Sequence, residues 1–145
     1  VMASLLKKFI LAKRNGTKEV TCWGTGKPLR EFLHVDDLGN ACVHALEKWN
    51  PNKSNAPKTI SGDQINFLNV GTGKDISISN LAEIISNKVG YSGEIIWDRT
   101  KPDGTPKKQL NVEKLKSLGW LPKIDLIDGI SETIKDFKET HLEKK

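Results

Sequence analysis

Residues Trp23 to Asp37 read W-G-T-G-K-P-L-R-E-F-L-H-V-D-D. The stretch opens on a glycine-rich turn, runs through an apolar segment that holds one arginine, and ends in two carboxylates. Glycine permits positive φ and close approach of the backbone to a ligand. Arg30 sits between Leu29 and Phe32, where a guanidinium is costly unless it meets an anion or a carboxylate. Leu29 to Val35 is expected to be extended, with Gly24 to Pro28 as the connection before it. Asp36 is expected to cap the next helix. Capping and the helix dipole account for both Asp36 and Asp37 without any chemistry of their own.

Working backwards, Glu19 to Trp23 reads as a short strand rich in β-formers. Before it, Met2, Leu5, Leu6, Phe9 and Ile10 fall on one face of a helix that Asn15-Gly16 should stop. The chain begins Val-Met inside that pattern, which reads as a cut end.

Working forwards, a helix is expected over about Asp37 to Trp49, with Leu38, Ala41, Cys42, Ala45, Leu46 and Trp49 inward. Residues 50–63 are polar and contain Pro51 and Pro57, the composition of a loop or insertion. Ile65 to Val70 is an apolar run of the kind found in parallel sheets covered on both faces. The chain offers few such strands, so part of the sheet is expected to lie outside it. Gly71-Thr72-Gly73 continues to Ile76 without a third glycine and without a Lys-Ser/Thr pair, so it reads as a tight strand-to-helix turn. Ser77 should cap a helix reaching Val89 and ended by Gly90. Glu94 to Trp97 should be a strand.

The loop after that strand, Arg99 to Lys108, carries four cations (Arg99, Lys101, Lys107 and Lys108) around Asp103. Asn111 should cap a short helix from Val112 to Leu118. A last helix, about Leu126 to Glu139, would have Ile127, Ile130, Ile134 and Phe137 on one face, followed by a polar tail from His141 to Lys145.

The totals exclude several classes. The 145 residues form a chain of ordinary domain size with a net charge of +5. No apolar run approaches the roughly 18 residues that span a bilayer. Cys22 and Cys42 fit no metal spacing and are expected to be reduced; His34, His44 and His141 are scattered. The positive charge would suit nucleic acid or phosphorylated metabolites, but no zinc-finger, helix-turn-helix or RNA-binding signature accompanies it.

The run G-x-G-x-x-x-R-x-F-x-x-V-x-D from Gly24 to Asp37 resembles extended short-chain dehydrogenases that act on nucleotide sugars. With F-L-N-V-G-T-G, and above all K-P-D-G-T-P-K-K followed by L-x-x-L-G-W, the chain is similar to the GDP-L-fucose synthase family. That resemblance implies an enzyme that epimerises and reduces GDP-4-keto-6-deoxymannose with NADPH. The fold it implies is α/β, the C-terminal substrate-binding portion of an extended Rossmann-type dehydrogenase without its N-terminal dinucleotide-binding domain. Residues 1–145 would form a single substrate-binding region.

By the same resemblance, Lys8, Trp23, Arg30, Asp103 and Lys108 should touch the GDP-sugar. Arg30 would bind the diphosphate, Trp23 would lie beside the nucleotide, and Asp103 and Lys108 would belong to a loop closing on the ligand. An arginine fork suits diphosphate oxygens, and lysines add point charges. The family's hydride chemistry needs a glycine-rich dinucleotide loop and a serine with Tyr-x-x-x-Lys, none of which is present; Tyr91 is followed by Ser-Gly-Glu-Ile. The family's acid/base cysteine and histidine also precede this stretch. The expectation is therefore a chain with no catalytic and no cofactor-binding residues, inactive alone. NADP would be the cofactor of the full-length enzyme, and the missing N-terminal domain a partner. A homodimer and a cytoplasmic location are further expectations, with nucleic acid and membranes not among the partners.

Overall fold

A computed structural model describes residues 1–141. In chain order its elements are α1 (Met2–Asn15), β1 (Glu19–Trp23), β2 (Leu29–Glu31), α2 (Val35–Lys48), β3 (Asp75–Ser77), α3 (Ile78–Val89), β4 (Glu94–Asp98), β5 (Lys107–Lys108), α4 (Glu113–Ser117) and α5 (Leu126–His141). They fall into two compact units. The first comprises Val1–Arg30, Ile76–Lys108 and the described residues from Ile127 onward; the second comprises Glu31–Asp75 and Gln109–Leu126.

In the first unit α1 buries Leu5, Leu6, Phe9, Ile10 and Ala12, the expected face, and stops at Gly16 with φ of 64°. Strand β1 buries Val20 and Cys22 and leaves the alternate residues exposed. It pairs in parallel with β4, from Glu19↔Glu94 to Trp23↔Asp98. Parallel neighbours need a crossover, and here the connection includes α3. The Ser77 hydroxyl accepts the Asn80 N–H at 3.1 Å and caps that helix as expected. Leu81, Ala82, Ile85 and Val89 of α3 are buried, and α3 packs against α1. Burying each large aliphatic side chain contributes about 1.5–3 kcal/mol. In α5, Ile130 and Ile134 are buried, whereas Ile127 is 44% exposed and Phe137 half-buried. The tail after His141 lies outside the described residues.

A second sheet has the order β3-β2-β5. Strands β2 and β5 run parallel, with Leu29 opposite Lys107 and Arg30 opposite Lys108. Neither β3 nor β5 was expected, because two or three residues carry no readable period.

The second unit departs further from expectation. Extended pairing ends at Glu31 instead of Val35, and α2 starts at Val35 with His34 as its cap: the His34 Nδ1 accepts the Asp36 N–H at 3.3 Å. Asp36 is thus in the first turn and not the cap. Asp37 is buried, and its Oδ2 accepts the N–H groups of Lys123 and Ile124, both at 2.9 Å. The buried face of α2 centres on Asp37 and Ala41. Leu38 (45%), Leu46 (86%) and Cys42 are exposed, against their expected inward place. Its own unit offers one side of α2 a core, built from Ala41, Leu115 and Trp120 with Leu33, Leu68 and Val70 packed on it.

Ile65 to Val70 belongs to no named strand. Leu68 and Val70 reach the core, but Phe67 is 71% exposed. An apolar run becomes a strand only when another strand supplies its hydrogen bonds, and the described residues offer none here. Residues 50–63 close on themselves: Ser61 and Thr59 bond Asp63, and Lys58 bridges Gln64. Helix α4 begins after Val112, yet the Asn111 carbonyl Oδ1 accepts the Glu113 N–H at 3.0 Å, as a capping side chain should.

Candidate functional site

Strand β1 delivers Trp23 to its C-terminal end, opposite Asp98, where the chain turns through Gly24, Thr25 and Gly26. Gly24 and Gly26 have φ of 81° and 74°. Neither has room for a side chain: a Cβ on Gly24 would fall on the Asp103 carboxylate, and one on Gly26 would lie 2.8 Å from the Trp97 ring. The turn is tied to the start of α3 by Ser79 N–H to Gly26 O (2.9 Å) and Ile78 N–H to Pro28 O (3.1 Å).

Asp103 is the clamp of this turn. Its Oδ1 accepts the Thr25 N–H at 2.8 Å and its Oδ2 the Thr25 hydroxyl at 2.6 Å. The Thr25 hydroxyl bond first, then the Thr25 N–H, hold the carboxyl below the usual aspartate range, with Lys27 acting in the same direction. The exposed loop 101–106 is therefore pinned across 78 residues of sequence onto the turn after Trp23.

Around that clamp the cations gather. Lys101 Nζ lies 5.8 Å from the Trp23 ring centroid, a cation–π distance. Trp23 is 70% exposed, so its indole is a free surface and not core. Arg30 is half-buried. One of its terminal nitrogens donates to the Leu29 carbonyl at 2.6 Å; the other lies so near Gly104 that a Cβ there would sit 3.0 Å from it. Among the described residues Arg30 meets no carboxylate. Lys108 is its parallel-strand partner. Four of the five expected residues, Trp23, Arg30, Asp103 and Lys108, thus belong to one linked group of β1, β2, β5 and the 101–106 loop.

Lys8 is joined differently. Its ammonium donates to the Thr21 carbonyl at 2.6 Å, two residues before Trp23. It also opposes the rise that burial imposes on the Cys22 thiol. Asp103 has both oxygens committed to Thr25, so its carboxylate ties the 101–106 loop to the turn.

The profile of the NAD dependent epimerase/dehydratase family matches residues 1–60. Putative GDP-L-fucose synthase 2 of Arabidopsis thaliana is 45% identical over 145 residues, all of this chain and 40% of that protein. Over nearly its whole length the chain is similar to part of the GDP-L-fucose synthases. It therefore spans about 40% of the length of such relatives. Among solved structures, a GDP-6-OMe-4-keto-L-xylo-heptose reductase from C. jejuni superposes with a TM-score of 0.81 at 31% identity, over 95% of this chain and 47% of that one. A GDP-L-fucose synthetase from Naegleria fowleri bound to NADP gives 0.76 at 26% identity, over 96% of this chain and 40% of that one. The helices and parallel strands of the chain superpose on these enzymes, so the α/β class expected from sequence is correct.

The Thr72 and Gly73 N–H groups of the second glycine turn, which a phosphate would need, are donated to the Glu31 carboxylate. The Tyr91 hydroxyl is buried without a partner, and burial followed by the nearby Glu19 raises it above the usual tyrosine range. No group of three or more His, Cys, Asp or Glu among the described residues could hold a metal ion, and no described helix is long and apolar enough to cross a membrane.

Sequence reading gave no individual site role to Thr25, Lys101 or Glu31. Thr25 and Lys101 flank residues that were singled out, and only the folded loop brings them to bear. Glu31 could have been suspected as an acid beside Arg30; its partners, 41 to 79 residues away, could not.

Proposed function

We propose that this chain is the GDP-sugar-binding half of an NADPH-dependent GDP-L-fucose synthase. The complete enzyme would epimerise and reduce GDP-4-keto-6-deoxymannose to GDP-L-fucose, and this chain alone would not turn over substrate. One observation carries the reading: a half-buried Arg30, met by no carboxylate among the described residues, stands beside Lys108 in parallel register. A guanidinium fork and an ammonium set side by side match a diphosphate in charge and shape. Trp23 offers its exposed indole to the nucleotide base, with Lys101 drawn over the ring. Lys8 adds positive charge near the end of β1. Asp103 holds the turn in place through Thr25.

In this reading the sugar extends away from the clamp towards NADPH and catalytic groups outside the chain. The clamp acts by positioning, which can supply much of a rate enhancement. The exposed Leu38, Leu46 and Phe67 of the second unit suit burial beneath further sheet, so an N-terminal dinucleotide-binding domain is the partner proposed. Association into a homodimer is part of the same proposal, while membranes and nucleic acid are not.

Titration of the chain with GDP, UDP and dTDP by calorimetry tests the reading. GDP should bind, and Arg30→Ala should weaken it by roughly 2–5 kcal/mol, the range for removing one partner of a buried charge pair. Preference for UDP or dTDP would instead favour another nucleotide-sugar epimerase or dehydratase. Salt-dependent DNA binding with no response to nucleotides would mark a basic nucleic-acid-binding domain.

A further inference from the structure

Glu31, the last residue of β2, takes four donors on one half-buried carboxylate. Its Oε1 accepts the N–H groups of Thr72 and of Gly73 (2.7 Å) and the Thr72 hydroxyl (3.3 Å); its Oε2 accepts the Leu110 N–H at 2.8 Å. The Gln109 amide adds a bond to the Gly73 carbonyl. A Cβ at Gly71 would fall on the same carboxylate and push it off its donors. Three separate stretches of the second unit therefore end on one side chain.

Two of those stretches continue directly into the proposed clamp. Glu31 follows Arg30, and Leu110 follows Lys108 by two residues. We infer that Glu31 is the positioning residue of the nucleotide clamp: by fixing where β2 and β5 end, it holds Arg30 opposite Lys108. This rests on the reading that these two residues take the diphosphate. A two-residue strand such as β5 has too few ladder bonds to hold its own register, so the anchor at its exit decides it.

Electrostatics alone predicts the opposite outcome. A carboxylate beside Arg30 repels an anion, so neutralising it should tighten binding of a diphosphate. Positioning predicts weaker binding on losing the same charge, and the sign separates the two.

The test uses Glu31→Gln in the 145-residue chain with GDP as probe. Glutamine keeps one acceptor oxygen and turns an NH₂ towards N–H groups, so one arm of the anchor is lost. GDP affinity is expected to fall about tenfold with the far-ultraviolet dichroism unchanged. Hydrogen exchange should quicken at Leu29, whose N–H donates to Pro106 across β2 and β5. Glu31→Asp, which keeps both oxygens, should recover part of each effect. Should Glu31→Gln not fold, Gln109→Ala removes only the bond to Gly73 and is read in the same way. Equal or tighter GDP binding, or unchanged exchange at Leu29, overturns the inference. Failure of the unaltered chain to bind GDP, with quickened exchange at Leu29 in Glu31→Gln, would instead defeat the nucleotide reading and leave the anchor standing.

Discussion

The chain contains the tetrapeptide Gly-Thr-Gly-Lys twice, at residues 24–27 and 71–74, and the two copies share a local design. In each, the threonine N–H and hydroxyl donate to a carboxylate distant in sequence, Asp103 in one and Glu31 in the other. In each, the threonine hydroxyl oxygen also accepts the lysine N–H, at 3.2 Å. What differs is the carboxylate. Asp103 is exposed, serves one threonine, and rides on a cationic loop. Glu31 is half-buried, takes three N–H groups and a hydroxyl, and ends three chain segments. The same four residues thus make a turn that docks a cationic loop in one unit and an anchor in the other. Neither turn has its threonine N–H free for a phosphate, although glycine-rich turns invite that reading. A loop's neighbours, more than its own letters, decide what it does.

Unequal loss from the two turns is the way to sharpen this contrast. The largest effects on stability should come from the cores beside them: Leu115→Ala in the second unit and Ile85→Ala in the first, both fully buried, should each cost about 2–5 kcal/mol in denaturant unfolding. Next comes Glu31→Ala, which strands backbone N–H groups in a half-buried place and should cost about 2 kcal/mol. Asp103→Ala should change unfolding less than Glu31→Ala, while freeing the 101–106 loop to proteolysis; equal losses from the two would erase the contrast drawn here.

Smaller still is the pH dependence. The Asp103 carboxyl is depressed in the folded chain, so its contribution is present above the unfolded value near 3.8 and is lost as pH falls through the lower folded value. The Thr25 amide resonance should titrate below pH 3.8, and Asp103→Asn should abolish that transition. Tyr91→Phe should be neutral or slightly stabilising, since the hydroxyl it removes is buried without a partner. Marked destabilisation would show that the hydroxyl has one.

Most helices and the β1 and β4 strands were legible in the sequence, because their apolar periods are long and their stop signals local. Gly16, Ser77 and Gly90 ended or began helices where such residues should. What was not legible depended on partners. Leu38 and Leu46 of α2 repeat at helical spacing, and that period says only that a face is apolar, without saying which element covers it. Ile65 to Val70 has strand composition but forms no strand, since a ladder takes two strands. Of the candidate site, Arg30 stood out as a charge inside an apolar run, whereas Lys8, Trp23, Asp103 and Lys108 were expected only from the family resemblance. That one carboxylate clamps Thr25 and another gathers residues 72, 73 and 110 was not visible, because hydrogen bonds across tens of residues leave no local pattern.

Amide and arginine side-chain NMR of the chain during titration with GDP puts the central claim to its most direct test. Saturable shifts are expected at the Arg30 guanidinium, the Trp23 indole and Lys108, with residues 71–74 unmoved. Shifts confined to the second turn, with Arg30 and Lys108 silent, would contradict the account.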